Sequence, residues 1–210
     1  MKVVKIMNKT ILIAGCCGVT GKAAARRFHD EGWYVIGLDV KLNENEDKYV
    51  DTYVPCNLRD MEGVEKTIAS IEEKFELDAV FNGAGAEAGT GFEDTDSKVW
   101  DVLLDTILGG NVNLCRAAAP YMKDRKRGKI IILASDYRDA EGDNVLSAAA
   151  YGTLHGFVKS FGMEMAADNV LVNVISPAVP FDADLVADTV FYLADKDTYT
   201  AAQVVSVSGA

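Results

Sequence analysis

Apolar positions recur along this chain in two rhythms. Short continuous apolar runs, bounded by glycine, proline or polar residues, predict buried strands. They cover Thr10–Ala14, Tyr34–Leu38 with Asp39 at its end, Tyr53–Cys56, Ala79–Phe81, Lys129–Leu133, Val170–Ile175 and Val204–Val207. Pro55 suits a sheet edge, and Pro177 is expected to stop the sixth run. Between the runs the spacing turns helical. Lys22–Glu31 is followed by Gly32 as a stop, and Met61–Phe75 carries Val64, Ile68, Ile71 and Phe75 on one face. Ser97–Leu108 and Asn111–Met122 make a long helical region with Gly109–Gly110 as a candidate break. Ala148–Ala167 and Asp184–Ala194 complete the set, and Lys41–Lys48 reads as polar loop or weak helix.

Strands that alternate with helices imply right-handed crossovers and a parallel sheet covered on both faces. The expected fold class is therefore α/β: a single Rossmann-type doubly wound parallel sheet of about seven strands, with residues 1–210 as one domain. At 210 residues and 49% hydrophobic composition the chain can bury a substantial core. No apolar run has the length of a membrane span. Met1–Lys9 lacks the apolar stretch and cleavage site of a secretory leader, which points to a cytoplasmic protein.

The net charge of −11 opposes phosphate backbones and anionic lipid, so neither nucleic acid nor a membrane is expected as a partner. The one basic cluster, Lys123–Arg127, lies between a helix and a strand and reads as a solvated turn. Cys16, Cys17, Cys56 and Cys115 lack C-x-x-C spacing, and His29 and His155 are the two histidines, so no metal site is expected. Reduced thiols are expected. Cys16 and Cys17 either fill a tight turn or are activated by a helix N-terminus.

The candidate chemistry starts at Gly15-Cys16-Cys17-Gly18-Val19-Thr20-Gly21, which follows a strand and opens a helix. In such a turn the first glycine makes the bend and the second lets the backbone approach a pyrophosphate. The third lets the helix pack close to the strand. The helix start then offers free N–H groups to phosphates. Asp39, at the end of the second strand, is placed to accept hydrogen bonds from an adenosine ribose and to repel a 2′-phosphate. The expected cofactor is NAD rather than NADP, with Lys41 tempering that preference.

These residues resemble the short-chain dehydrogenase/reductase family over nearly the whole chain. Gly15, Cys17, Gly18, Val19 and Gly21 fall on a variant of the family's glycine turn. Asn57-Leu58 resembles the pair that reads the adenine, and Asn82-Gly83-Ala84-Gly85 is similar to the family's Asn-Asn-Ala-Gly. Ser176-Pro177-Ala178, with Val179, resembles the turn that faces the nicotinamide. The resemblance implies a tyrosine acid/base at Tyr151 and a serine that polarises the substrate oxygen at Ser135. It also implies a lysine one helical turn after the tyrosine, which holds the nicotinamide ribose. Here that position is His155, giving Tyr-x-x-x-His, so Tyr151 and His155 are also cofactor-contact candidates.

Three departures qualify the expectation. Ile107 stands where the family has the asparagine of a proton relay, and an apolar side chain carries no proton. The interval from Ser135 to Tyr151 implies a small insertion near Asp139–Asn144. Val179–Ala183 is all that separates the Pro177 turn from the last helix, so the family's substrate lid is largely missing. Three functions remain open. One is an NAD(H)-dependent oxidoreductase on an alcohol or carbonyl, with Tyr151, Ser135 and His155 as its catalytic set. The second is a dinucleotide-binding protein with little redox activity, serving as a sensor or oligomer partner. The third is a non-redox enzyme on the same scaffold. By the same resemblance, helices from Ser97–Met122 and Ala148–Ala167 are expected to pair copies into a homodimer or homotetramer.

Overall fold

The computed structural model describes residues 8–40, 48–89, 91–135, 145–178, 180–195 and 199–208. Seven strands form one parallel sheet: β1 Thr10–Ala14, β2 Tyr34–Asp39, β3 Thr52–Pro55, β4 Ala79–Asn82, β5 Gly128–Leu133, β6 Val170–Pro177 and β7 Val204–Val207. Their order is β3-β2-β1-β4-β5-β6-β7. The crossovers are α1 Val19–Asp30, α2 Met61–Glu72, α3 Ser97–Leu104, α4 Gly110–Asp124, α5 Val145–Ala166 and α6 Ala183–Asp195.

All five residues of β1 are buried, because helices cover both faces of the sheet. Its side chains alternate between two cores. Leu12 and Ala14 join Ile68 of α2, Leu114 of α4 and Leu154 of α5. Ile11 and Ile13 join Phe28 of α1 and Val190 of α6. The strand order reverses between β1 and β4, and a ligand crevice opens beyond the C-terminal ends of strands at such a point.

Several boundaries differ from the sequence expectation. Helix α1 begins at Val19, not Lys22, and Lys22 N–H already donates to Gly18 O at 2.9 Å. Val, Thr and Gly are weak helix formers, which hid this first turn. Helix α5 begins at Val145, and α2 ends at Glu72. Strand β6 runs through Pro177, which lies past the end of β5 and pairs only with Val207 of β7, so its missing N–H costs no ladder bond on the other side. The candidate break at Gly109–Gly110 is not a break. Asp105–Gly109 form a π-helical turn that joins α3 to α4, with Gly110 N–H donating to Asp105 O. Pro55 does end an edge strand. The segment 41–47 and the candidate insertion at 139–144 lie outside the described residues.

Candidate functional site

The glycine turn is a close-packed piece of backbone. Gly15 has φ +76°, and a Cβ there would sit 2.7 Å from Ala84 N in the loop after β4. A Cβ on Gly21 would lie 2.1 Å from Gly15 O, so the first turn of α1 touches the end of β1 directly. Asp60 caps α2 and Asp96 caps α3 through their side chains. Among the described residues no side chain caps α1, and its first turn holds no acidic residue. Its N–H donors therefore point at a cradle that an anion can fill.

This cradle borders a cavity of about 610 Å³ at the strand-order reversal. Gly15, Cys17, Gly18, Asp39, Asn57, Leu58, Gly83, Ala84 and Gly85 of the sequence-derived set line it. Asp39 Oδ2 accepts from Cys17 N–H at 3.1 Å, which ties the carboxylate to the turn. Asn113 Nδ2 donates to Leu58 O at 2.8 Å and fixes the wall that carries Asn57 and Leu58. The cavity also takes in Arg59 and Thr106, which the sequence reading missed. Arg59 pairs with Asp105 at 3.3 Å on the rim. The only available signal for Arg59 was a cation two residues after Asn57.

Other expected residues stand outside the cavity lining. Gly21 acts by packing, and Val19 is 78% exposed at the start of α1. Asn82 lies beneath the floor: its Oδ1 accepts from Ala84 N–H at 3.0 Å, and its Nδ2 donates to Asn111 Oδ1 at 2.8 Å. Asn111 Nδ2 in turn donates to Ile107 O at 2.7 Å, inside the π-helical turn. Both asparagines are 1% exposed. Sequence reading passed over Asn111, since only the tertiary fold turns it toward Asn82. Ile107 itself is fully buried and apolar, as its side chain requires.

Tyr151 is 8% exposed, and its hydroxyl rests on Gly85, where an added Cβ would sit 2.1 Å from Oη. The phenol thus meets the cavity floor through a position only glycine allows. Ser147, one turn earlier on α5, accepts from Ala88 N–H at 3.1 Å and pins the helix to the same loop. His155 is half-buried on the next turn of α5, and its shielded Nε2 has no hydrogen-bond partner among the described residues. Ser135 follows β5 and is half-buried, just after Ala134, whose N–H donates to Ile175 O at 2.8 Å. Pro177 and Ala178 sit at the end of β6, Ala178 N–H donating to Val207 O at 2.9 Å, while Val179 lies outside the described residues. The buried Ser176 Oγ likewise has no partner among the described residues. Helix α6 begins at Ala183, six residues after the end of β6 at Pro177.

Burial pushes the Cys16 thiol well above its ordinary value, with Cys17 and Asp39 adding to the shift. Activation of Cys16 by the helix N-terminus is therefore not realised. Desolvation outweighs the helix dipole at a side chain packed beneath the turn.

A family model for short chain dehydrogenases matches residues 9–189. The chain belongs to the short-chain dehydrogenase family. It is 25% identical over 244 aligned residues to 3-oxoacyl-[acyl-carrier-protein] reductase FabG of Thermotoga maritima, covering 98% of each chain. Two solved structures share the fold. ElxO with NADP bound superposes with a TM-score of 0.88 at 19% identity, covering 97% of this chain and 98% of its own. NAD+-bound xylitol dehydrogenase superposes with a TM-score of 0.88 at 20% identity, covering 98% of this chain and 100% of its own. The family binds nicotinamide dinucleotides, and the uncapped α1 and the glycine cradle suit such a ligand. No helix among the described residues is long and apolar enough to cross a membrane.

Proposed function

We propose that this short-chain dehydrogenase is an NAD(H)-dependent oxidoreductase that interconverts an alcohol and a carbonyl. The observation that carries the reading is Tyr151, whose hydroxyl rests on Gly85 at the cavity floor. That contact brings the one phenol on this face of α5 beside the dinucleotide cradle. Asp39, tied to the turn by Cys17 N–H, supports NAD over NADP, because a carboxylate accepts from ribose hydroxyls and repels a 2′-phosphate.

The bound cofactor supplies or accepts the hydride. Tyr151 exchanges the proton at the substrate oxygen, and Ser135 orients that oxygen by hydrogen bonding. A phenol titrates near 10 when free, so it needs a cation or donor nearby to act near neutrality. His155, at i+4 on the same helix, stands for that group, and its unpartnered Nε2 is suited to a ribose hydroxyl. Arg59 on the rim suits the adenosine side of the ligand. The short interval between β6 and α6 leaves little chain to form a lid there, which points to a substrate that is not sequestered by one.

The test pairs two measurements. NADH is expected to bind more tightly than NADPH in fluorescence titrations, and the reverse order overturns the role of Asp39. A panel of alcohols and ketones is then expected to give hydride transfer that Tyr151→Phe abolishes. Silence across the panel with NADH binding intact overturns the redox reading.

A second reading has its own support. Ile107 fills the proton-relay position with a fully buried apolar side chain. On that reading the protein binds the dinucleotide and acts as a sensor or oligomer partner. His155→Lys separates the two: if it creates no turnover while NADH still binds, this second reading gains, and wild-type turnover that Tyr151→Phe abolishes overturns it. Assembly is proposed through α3, α4 and α5, where Val102, Val112 and Met163 are exposed, giving a homodimer or homotetramer.

A further inference from the structure

The glycine turn carries a second set of groups that dinucleotide binding does not use together. Cys16 and Cys17 are adjacent, their Sγ atoms are 4.0 Å apart, and the ligand atoms of Cys16, Cys17 and Asp39 all lie within 4.8 Å of one another. Two sulfur ligands of a tetrahedral zinc ion, with bonds of about 2.3 Å, are separated by about 3.8 Å. The pair is thus almost at ligation distance already. Gly37 makes this possible: a Cβ on β2 at that position would sit 2.7 Å from Cys16 Sγ. Cys17 and Asp39 line the open cavity, while Cys16 is buried behind them. A cation entering from the cavity would meet Cys17 and Asp39 first, take Cys16 as a third ligand beneath them, and keep a fourth position toward the cavity.

We propose that Cys16, Cys17 and Asp39 form a site for a thiophilic divalent cation of the zinc–cadmium class, and that this cation excludes the dinucleotide. Two thiolates and one carboxylate are a ligand set that such cations accept in preference to magnesium or calcium. The thiol protons leave on binding, so the two thiolates and the carboxylate leave one net negative charge on the complex. Exclusion follows from shared groups. The carboxylate that would hold the ribose becomes a metal ligand, and the cation stands between Asp39 and the turn. The effect is reciprocal, since each ligand must weaken the other by the same factor. The cysteine spacing alone excluded a C-x-x-C site; Asp39 joins the pair only because β2 ends beside the turn. This exclusion rests on the dinucleotide reading above, whereas the cation site itself does not.

Cadmium is the useful probe, because its thiolate complexes absorb in the ultraviolet. The full chain in its reduced form is expected to bind one Cd2+ with a thiolate absorption. That absorption is lost in Cys16→Ala and Cys17→Ser and kept in Cys56→Ser. NADH titrated against the cadmium-loaded wild type should show an apparent Kd at least about tenfold higher, and Cys16→Ala, whose side chain is outside the cavity lining, should lose that competition. If Cys16→Ala does not fold, the wild-type absorption and its loss in Cys17→Ser decide the site. An absence of thiolate absorption in the wild type, or its survival in both turn variants, overturns the proposal. So does NADH binding that saturating cadmium leaves unchanged. Failure of the metal-free protein to bind any dinucleotide would overturn the functional reading while the absorption still decides the cation site.

Discussion

Asn111 offers the most direct test of how the floor of the cavity is held. Its side chain bridges Asn82 Nδ2, at 2.8 Å, and Ile107 O, at 2.7 Å, in a region closed to solvent. Asn111→Leu keeps the branching at Cγ and removes both bonds. The Asn82 amide donor is then buried without that partner, and Ile107 O loses its side-chain donor. The orphaned Asn82 donor predicts a loss of about 1–3 kcal/mol. The π-helical turn also loses the side-chain bond that Ile107 O accepts. A functional consequence follows through Asn82, whose Oδ1 holds Ala84 N–H at 3.0 Å under the cavity. With Asn82 freed, the Gly83–Gly85 floor loses its anchor, and NADH affinity should fall about tenfold, equivalent to about 1.4 kcal/mol. Urea unfolding of the two proteins measures the first effect, and NADH fluorescence titration the second. A stability loss below about 1 kcal/mol would mean that the Asn82 donor finds another partner, and would overturn the role given to Asn111.

Gly21→Ala places a Cβ 2.1 Å from Gly15 O and 2.7 Å from Cys16 Cα, both backbone, so α1 must shift. Thermal unfolding should register about 1–3 kcal/mol of overpacking, together with weaker NADH binding. Arg125→Met removes a bidentate partner of Glu72 at 2.9 and 3.2 Å. Burial already pushes the Glu72 carboxyl up, against the pull of Arg125. The orphaned carboxylate should cost about 3–5 kcal/mol in urea unfolding at neutral pH, less at acid pH where it protonates. Asp168 is held below its ordinary value by hydrogen bonds from Lys126 and Lys123. A lowered folded pKa contributes stability above the unfolded carboxylate value and loses it as the pH falls through the folded one. Asp168→Asn should therefore be less stable than wild type near neutrality and converge with it in acid, as followed by unfolding midpoints against pH.

Much of the fold was legible in local pattern. Thr10–Ala14 reads as a buried strand because a fully covered parallel strand has no polar face to show, and the same holds for Lys129–Leu133. The glycine turn was legible because a strand, a bend and a helix leave their requirements on consecutive residues. Asp39 was legible for the same reason, as the last residue of the second run. Local pattern erred where two effects overlap. Weak helix formers hid the first turn of α1, and Gly109–Gly110 suggested a break that a π-helical turn and the surrounding core remove.

What the sequence alone determined, then, is the alternation of buried strands and amphipathic helices and the bend that opens toward an anion. Both are written in residues close along the chain. The tertiary structure decided what depends on residues far apart. It set the strand order that opens the cavity between β1 and β4. It put Tyr151 against Gly85, Asn111 against Asn82, and Asp39 beside Cys16 and Cys17. Each of these contacts joins elements that meet only when the sheet forms, and no local periodicity records which side chains will then face one another.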